Sequence, residues 1–200
     1  MLIVFEGIDG AGKTTQLQRA RDYLEGRGFE VVSLREPTEG TWGRRIRELA
    51  QQGRQGIAPR EELDLFLQDR QENVRDCILP ALDQKKIVLL DRYYYSNMAY
   101  QGALGLDPSE IQQLNERFAP RPDLVIVLQV PPSVGLSRLR AGRGGKIEPA
   151  YEEEAYLRRV KEIFDRLDEP HIRFIDASQP LPRVTAQITA LLQEILDPSP

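Results

Sequence analysis

Short runs of apolar residues alternate with longer segments of helical periodicity along this chain. Five runs are rich in valine, isoleucine and leucine and have the length of strands buried on both faces. They cover residues 2–6, 30–34, 86–91, 123–130 and 172–176. Helical patterns fill the intervals, including 13–25 and 181–196. The alternation predicts an α/β fold of three layers, with a five-stranded parallel sheet covered by helices on both faces.

The length and hydrophobic content favour one domain. Of the 200 residues, 40% are hydrophobic, which is enough for a core of ordinary size. We predict a single domain over residues 1–196 and a flexible tail over 197–200. The segment 138–154 combines glycine, proline and charged residues between two helical stretches, which is typical of a mobile lid.

The amino-acid composition disfavours or excludes several classes of function. A net charge of −4 gives no basic face, which disfavours nucleic acid as a partner. Cys77 is the single cysteine and His171 the single histidine, which excludes a disulfide framework, a His-pair metal site and a His-based triad. No apolar run approaches the roughly 18 residues of a membrane span, and the start "MLIVF" lacks the basic flank of a signal peptide. We therefore expect a cytoplasmic protein without a membrane partner.

The segment "GIDGAGKTT" (7–15) predicts a phosphate-binding loop. It matches G-x-x-x-x-G-K-[ST] and lies between a predicted strand and a predicted helix, as this motif requires. In such loops backbone N–H groups surround the phosphates, the lysine reaches the β- and γ-phosphates, and the following hydroxyl binds Mg²⁺. The alternative is a glycine-rich turn with an accidental lysine. The predicted ligands of ATP and Mg²⁺ in this segment are Gly7, Ile8, Asp9, Gly10, Ala11, Gly12, Lys13, Thr14 and Thr15.

A second polar segment, "DRYYYSNMAYQG" (91–102), follows the third predicted strand. Asp91 ends that strand, as the magnesium-binding aspartate of P-loop proteins does. The alternative is an aspartate that caps the next helix. We predict that Arg92 binds phosphate beside such a loop; the alternatives are a surface residue or the salt-bridge partner of Asp91.

Arg70 lies on the apolar stripe of a predicted helix, with Phe66 one turn earlier. The stripe consists of Leu63, Leu67, Val74 and Ile78. A cation in this position must either extend to solvent or find a partner. One interpretation is an arginine that extends to solvent beside a phenylalanine of the core. The other is a pocket in which Phe66 stacks on a nucleobase and Arg70 donates hydrogen bonds to it.

Several motifs together resemble bacterial thymidylate kinases. The matching segments, in the order of the family, are "FEGIDGAGKTTQ", "LREPTEG", "LFLQDR", "DRYYYSNMAYQG", "RPDLVIVLQVPP" and "IDASQP". The resemblance implies a P-loop nucleotide kinase that transfers the γ-phosphoryl group of ATP to dTMP with Mg²⁺. It also implies a homodimer. The alternatives are a kinase of the same class with another acceptor and, less favoured, a nucleotide-dependent switch.

The resemblance also assigns roles to residues around the acceptor. Phe66 would stack on thymine and Arg70 would bind it, while Tyr100 would lie against the sugar and disfavour a 2′-hydroxyl. Arg35 and Arg92 would hold the acceptor phosphate. The complete implied acceptor site is Asp9, Arg35, Pro37, Phe66, Arg70, Arg92, Asn97, Tyr100 and Gln101. Tyr93, Tyr94 and Tyr95 would either form the wall of this site or simply pack.

The family places a catalytic arginine either in the phosphate loop or on the lid. Position 10 is glycine here, so the lid must supply it, from Arg138, Arg140 or Arg143. We predict Arg143, with Arg138 nearer the adenine, and a catalytic set of Lys13, Arg92, Arg143 and Asp9. Two segments, "ALGLD" after the tyrosine-rich motif and "GGKIEP" in the lid, depart from the family pattern.

Overall fold

The computed structural model describes residues 1–53, 56–142 and 154–197. Its five strands are β1 (Leu2–Glu6), β2 (Val31–Arg35), β3 (Ile87–Asp91), β4 (Leu124–Gln129) and β5 (Ile172–Asp176). They form one sheet in the order β2-β3-β1-β4-β5, and every neighbouring pair is parallel. The predicted fold class is thus confirmed.

Helices occupy the connections between the strands. They are α1 (Lys13–Gly26), α2 (Thr41–Gln51), α3 (Pro59–Asn73), α4 (Leu79–Asp83), α5 (Tyr94–Tyr100), α6 (Pro108–Glu116), α7 (Pro132–Gly142), α8 (Glu154–Asp165) and α9 (Leu181–Leu196). A π-helical turn (Val74–Ile78) joins α3 to α4, and a 3₁₀ turn (Gly102–Leu104) follows α5. Helix α1 packs against α9, α2 against α3, and α5 against both α6 and α8.

The core lies around the three central strands. Every residue of β1 and β3 is buried, as are the first five of β4, because helices cover both faces of the sheet. The edge strands β2 and β5 are partly exposed. This difference explains why the apolar runs of the central strands are continuous in the sequence.

The sheet topology determines where a ligand can bind. Strands β1 and β3 are neighbours, but β1 connects to β2 on one side of this pair and β3 connects to β4 on the other, so the chain leaves the two strands in opposite directions. A crevice at such a switch point, beyond the carboxyl ends of the strands, is the usual ligand site of open parallel sheets. The phosphate-loop motif follows β1 and Arg92 follows β3, so both reach this crevice.

The predicted bounds of three strands differ from the structure by one residue, and those of the predicted lid segment differ by more. Residues 138–142, predicted as the start of the irregular lid segment, instead complete α7. Arginine, leucine and alanine are good helix formers, so the charge in "RLRA" does not end the helix. Residues 143–153 of the predicted lid lie outside the described part of the chain. Asp197, the first residue of the predicted tail, forms an ion pair with Arg27 at 2.9 Å.

Candidate active site

The phosphate loop between β1 and α1 has a conformation that its glycines permit. Gly7, Gly10 and Gly12 all have positive φ values, of 129°, 77° and 99°. A Cβ atom at Gly7 would lie 2.4 Å from the Leu128 carbonyl oxygen, and one at Gly10 would lie 2.2 Å from that of Gly135. Side chains at these two positions would therefore force the loop away from its neighbours.

Lys13 folds back over this loop. Its Nζ donates hydrogen bonds to the carbonyl oxygens of Gly7 at 2.9 Å and Ile8 at 3.0 Å. Burial, with the Arg92 charge adding to it, lowers the pKa of Lys13 to about 8. An anion bound in the loop would favour the charged form of this amine.

Thr14, in the first turn of α1, meets Asp91, the last residue of β3. The Thr14 hydroxyl donates to Asp91 Oδ2 at 2.6 Å, and Asp91 is 4% exposed. Helix α5 has Tyr93 at its N-cap without a side-chain cap bond, so Asp91 does not cap it. A hydroxyl and a carboxylate are the hard oxygen ligands that Mg²⁺ prefers. The described residues contain no cluster of three or more metal-binding side chains, so the remaining ligands of Mg²⁺ would be phosphate oxygens and water, as is usual for this ion.

Asp9, Arg92 and Tyr100 form one cluster that joins the phosphate loop to α5. An Arg92 guanidinium nitrogen lies 2.9 Å from Asp9 Oδ1, and the Tyr100 hydroxyl donates to Asp9 Oδ2 at 3.1 Å. The guanidinium also lies 5.0 Å above the Tyr100 ring. The ion pair of Arg92 is therefore with Asp9, and not with Asp91 as one alternative had it.

Charge and burial oppose each other in this cluster. Burial alone would raise the pKa of Asp9, but Arg92 and Lys13 outweigh it and hold that pKa below its ordinary value. Burial raises the pKa of the Tyr100 hydroxyl, despite the opposing charge of Arg92. The cluster therefore presents an ionised carboxylate, a cation and a protonated phenol beside the phosphate loop.

Glu6 is linked to this cluster through Ser96, and it was not identified as a site residue from the sequence. It is fully buried and accepts hydrogen bonds from the Tyr93 N–H at 2.7 Å and from the Ser96 hydroxyl at 2.6 Å. The same hydroxyl accepts from Arg92 at 2.8 Å. Burial raises the pKa of Glu6, and Arg92 opposes the rise. A glutamate closing an apolar strand before the phosphate loop was the signal that could have identified it.

Arg70 is 1% exposed, so the interpretation in which it extends to solvent is wrong. Its Nε and one terminal nitrogen donate to Glu36 Oε2 at 2.8 and 2.6 Å, and the other donates to Asn115 Oδ1 at 2.5 Å. Asn73 donates to the second oxygen of Glu36 at 3.0 Å. Burial raises the pKa of Glu36, while Arg70 and Asn73 oppose the rise. Glu36 precedes a cis peptide bond to the half-buried Pro37.

The aromatic residues separate into two groups. Tyr93, Tyr94 and Tyr95 are fully buried, with successive ring centroids 4.8 and 4.4 Å apart, so they pack in the core. The Tyr93 ring centroid also lies 5.1 Å from the guanidinium carbon of Arg70, so one member of this group borders that arginine. Phe66 is half-buried and lies outside the main apolar cluster, which contradicts its interpretation as a core residue. Its position leaves part of the ring accessible, as stacking requires.

Two side-chain amides next to the cluster are oriented by a carboxylate. Gln101 donates to Glu62 at 3.2 Å, and its oxygen accepts from Asn97 Nδ2 at 3.1 Å. Asn97 Oδ1 is buried and has no partner among the described residues. Arg35 is exposed at the end of β2, in register with Asp91, and thus lies at the same edge of the sheet.

A cavity of about 300 Å³ lies on the other side of the phosphate loop. Its lining residues come from the phosphate loop, α1, α7, the segment between β5 and α9, and the start of α9: Ala11, Gly12, Thr15, Gln16, Arg138, Ala177, Gln179, Leu181 and Val184. Arg138 donates to the Ala177 carbonyl oxygen at 3.0 Å, which holds it at the cavity wall. Arg143, the predicted catalytic arginine, lies outside the described residues.

A phosphate loop at the switch point of a parallel sheet, with a second charged cluster facing it, defines a P-loop nucleotide kinase. Residues 5–188 match the family model described as thymidylate kinase. The chain therefore belongs to the thymidylate kinase family, as its motifs predicted. Helices long and apolar enough to cross a membrane are absent from residues 1–53, 56–142 and 154–197.

Similar proteins match over almost the whole chain. A thymidylate kinase of Desulfotalea psychrophila is 45% identical, covering 98% of this chain and 95% of the relative. One from Akkermansia muciniphila is 47% identical, covering 96% and 90%. A probable thymidylate kinase of Archaeoglobus fulgidus is 41% identical, covering 98% and 97%.

Proposed function

We propose that this protein transfers the γ-phosphoryl group of ATP to dTMP, with Mg²⁺, giving dTDP and ADP. The observation that carries the proposal is the contact of Arg92 and Tyr100 with Asp9 inside the phosphate loop. The contact supports the proposal because Arg92, which would bind the acceptor phosphate, lies directly beside the phosphate loop. A switch protein would need only the first of these sites, whereas a kinase needs both.

The donor would bind in the loop and the adjoining cavity. Backbone N–H groups of residues 7–15 and the Lys13 amine would hold its phosphates, because they form a positive concave surface at the start of α1. The cavity of about 300 Å³ continues from this loop and would take the nucleoside of ATP. Arg138 at the cavity wall would lie against the base.

Thr14 and Asp91 would hold Mg²⁺, since their oxygens already meet at 2.6 Å. When bound, the ion neutralises charge on the β- and γ-phosphates. The two side chains contribute by fixing the ion at the edge of the sheet next to the loop. Loss of the Asp91 charge would therefore weaken the metal site more than the fold.

The acceptor phosphate would lie between Arg92 and Arg35. No general base is needed, because a phosphate monoester has a second pKa of about 6 and is mostly a dianion at neutral pH. The site would then accelerate the reaction by aligning the γ-phosphate of ATP with the acceptor phosphate and by stabilising the negative charge of the transition state. Arg92 is held for this task by Asp9 and Ser96, and Arg143 of the lid would add a further charge.

The thymine would stack on Phe66, near Arg70 and Asn97. Three N–H groups of Arg70 are committed to Glu36 and Asn115, so a base would meet the remaining ones. Tyr100 would lie against the deoxyribose. Gln101 contributes through Asn97, whose amide it orients.

The family resemblance supports three further proposals. The chain forms a homodimer, it works in the cytoplasm without nucleic acid or membrane partners, and residues 1–196 form one domain with a lid. Sedimentation equilibrium of the purified protein tests the first of these directly: a single species of 22.8 kDa would exclude the dimer.

A coupled assay of ADP release tests the function. The acceptors are dTMP, dUMP, dCMP, dGMP and UMP, and Lys13→Ala serves as the inactive control. We expect the highest kcat/KM for dTMP, by about 10-fold or more over dUMP, the usual effect of one methyl group in an apolar pocket. An equal or higher value for another acceptor would assign the chain a different substrate.

A further inference from the structure

The backbone of Arg92 has an unusual conformation. Its φ is 73°, in the left-handed region that residues other than glycine seldom adopt, and Lys85 is the one other non-glycine residue with a positive φ in the described part of the chain. Such a conformation persists where the surrounding structure stabilises it, and it is concentrated at functional sites. Arg92 would bind the acceptor phosphate, so the contacts that hold its backbone bear on the proposed reaction.

Strand β1 binds the peptide groups on both sides of Arg92. The Arg92 N–H donates to the Phe5 carbonyl oxygen at 3.0 Å, and the Tyr93 N–H donates to Glu6 Oε1 at 2.7 Å. The Ser96 N–H donates to the same Glu6 oxygen at 3.1 Å. Helix α5 has no side-chain cap at its own N-cap residue, so Glu6 supplies the cap from a neighbouring strand.

The second carboxylate oxygen of Glu6 determines which way the Ser96 hydroxyl faces. That hydroxyl has a single hydrogen, which it donates to Glu6 Oε2 at 2.6 Å. Its oxygen is therefore left to accept from the Arg92 guanidinium, which donates to it at 2.8 Å. Glu6 is 0% exposed and Ser96 is 8% exposed, so little water can reach these bonds.

We propose that Glu6 is a positioning residue for the acceptor phosphate. It holds the left-handed backbone of Arg92 through the N–H groups of α5, and it holds the guanidinium through Ser96. The cation is thereby fixed beside the phosphate loop before the monophosphate binds. A side chain that is already ordered loses less conformational entropy on binding, so the affinity for the phosphate is higher. The inference rests on the proposed function for the role of Arg92.

Two substitutions separate the link to the guanidinium from the bonds to the backbone. Ser96→Ala removes the hydroxyl between Glu6 and Arg92 and leaves both N–H bonds to Glu6 in place. Glu6→Gln keeps the shape of the side chain, and its amide oxygen, the one acceptor left, stays with the N–H groups of Tyr93 and Ser96. Its NH₂ group then faces the Ser96 hydroxyl as a donor and competes with Arg92 for that oxygen.

The test compares the dissociation constants of dTMP and thymidine, measured by calorimetry without ATP. The ratio of the thymidine constant to the dTMP constant isolates the contribution of the phosphate and does not depend on phosphoryl transfer. We expect this ratio to fall by about 10-fold in Ser96→Ala and in Glu6→Gln, the usual effect of losing one hydrogen bond to a charged group, while thymidine binds as in the parent protein. Arg92→Met should lower the ratio further.

Tyr95→Phe is the matched control. It removes another buried hydroxyl of α5, which is bonded to His171 at 2.8 Å and has no contact with Arg92. Its ratio should equal that of the parent protein, even if its stability is lower. If Tyr95→Phe lowered the ratio as much as Ser96→Ala, any weakening of α5 would have the same effect and the inference would be overturned.

The other outcomes are equally distinct. If both Glu6→Gln and Ser96→Ala keep the parent ratio while Arg92→Met lowers it, the inference is overturned and the proposed function stands. A parent ratio near one, or an unchanged ratio in Arg92→Met, would overturn the phosphate-binding role of Arg92 and this inference with it. If Glu6→Gln fails to fold, Ser96→Ala decides by the same criterion.

Discussion

Replacing Arg70 with methionine removes one partner of a buried ion pair and keeps the side-chain volume similar. The side chains of Arg70 and Glu36 are 2% and 3% exposed, so water cannot take the place of the lost guanidinium. Breaking such a pair costs about 3–5 kcal/mol, because the remaining charge stays buried. For a domain of this length each kcal/mol corresponds to about 2–4 °C in Tm. We therefore expect Arg70→Met to lower Tm by about 6–20 °C.

The loss of stability in Arg70→Met should depend on pH. Burial raises the pKa of Glu36, and Arg70→Met removes the largest influence that opposes that rise, the charge of Arg70. The folded variant then binds a proton that the unfolded chain does not, so its stability falls as pH increases. Urea unfolding at about pH 6 and pH 8 should show a larger loss at the higher pH.

The double variant Glu36→Gln/Arg70→Met supplies the control, since it removes both charges. It should recover at least about 1 kcal/mol relative to Arg70→Met alone. If Arg70→Met lowered the free energy of unfolding by less than about 1 kcal/mol, or if the double variant recovered none of the loss, the buried Glu36 charge would not be the cause of the instability. The base-binding role is separate: in folded Arg70→Met, dTMP affinity should fall much more than ADP affinity, and equal losses would exclude that role.

The remaining predictions concern the phosphates, the metal and the single histidine. Lys13→Ala should reduce turnover by about 10²-fold or more, as loss of a preorganised donor does, with an unchanged circular dichroism spectrum; full activity would exclude the phosphate-loop role. Asp91→Asn should raise the Mg²⁺ concentration for half-maximal rate by about 10-fold, and an unchanged Mg²⁺ titration would remove Asp91 from the metal site. Burial lowers the pKa of His171 in the folded protein. Below about pH 6.5 the unfolded chain therefore binds a proton at this residue more readily than the folded protein does, and the free energy of unfolding decreases. Urea midpoints from about pH 7.5 to 5.5 should therefore fall more for the parent than for His171→Asn; parallel curves would contradict this.

Local patterns in the sequence were enough to predict the parallel sheet and the phosphate loop. A run such as residues 2–6 is apolar throughout because both faces of its strand are covered. The loop motif is contiguous, and its glycines have the positive φ values that only such residues adopt easily. The position of Asp91 was predictable for the same reason, since it is the last residue of an apolar strand.

Partnerships between distant residues were not predictable in this way. Arg70 was identified as unusual from its place on an apolar stripe, but Glu36 lies 34 residues away and carries no signal of its own. Glu6 was concealed at the end of a strand whose other residues are apolar. The helical residues 138–142 were assigned to the lid because charge and glycine were given more weight than helix propensity.

In the proposed reaction a donor triphosphate and an acceptor monophosphate meet across the Asp9–Arg92–Tyr100 cluster. Its most direct test is phosphorus NMR of the protein with ATP, Mg²⁺ and dTMP. We predict that dTDP and ADP appear at equal rates, that inorganic phosphate stays negligible, and that Arg92→Met slows dTDP formation strongly while ADP still binds. Release of inorganic phosphate without dTDP, or dTDP formation at the parent rate in Arg92→Met, would contradict it.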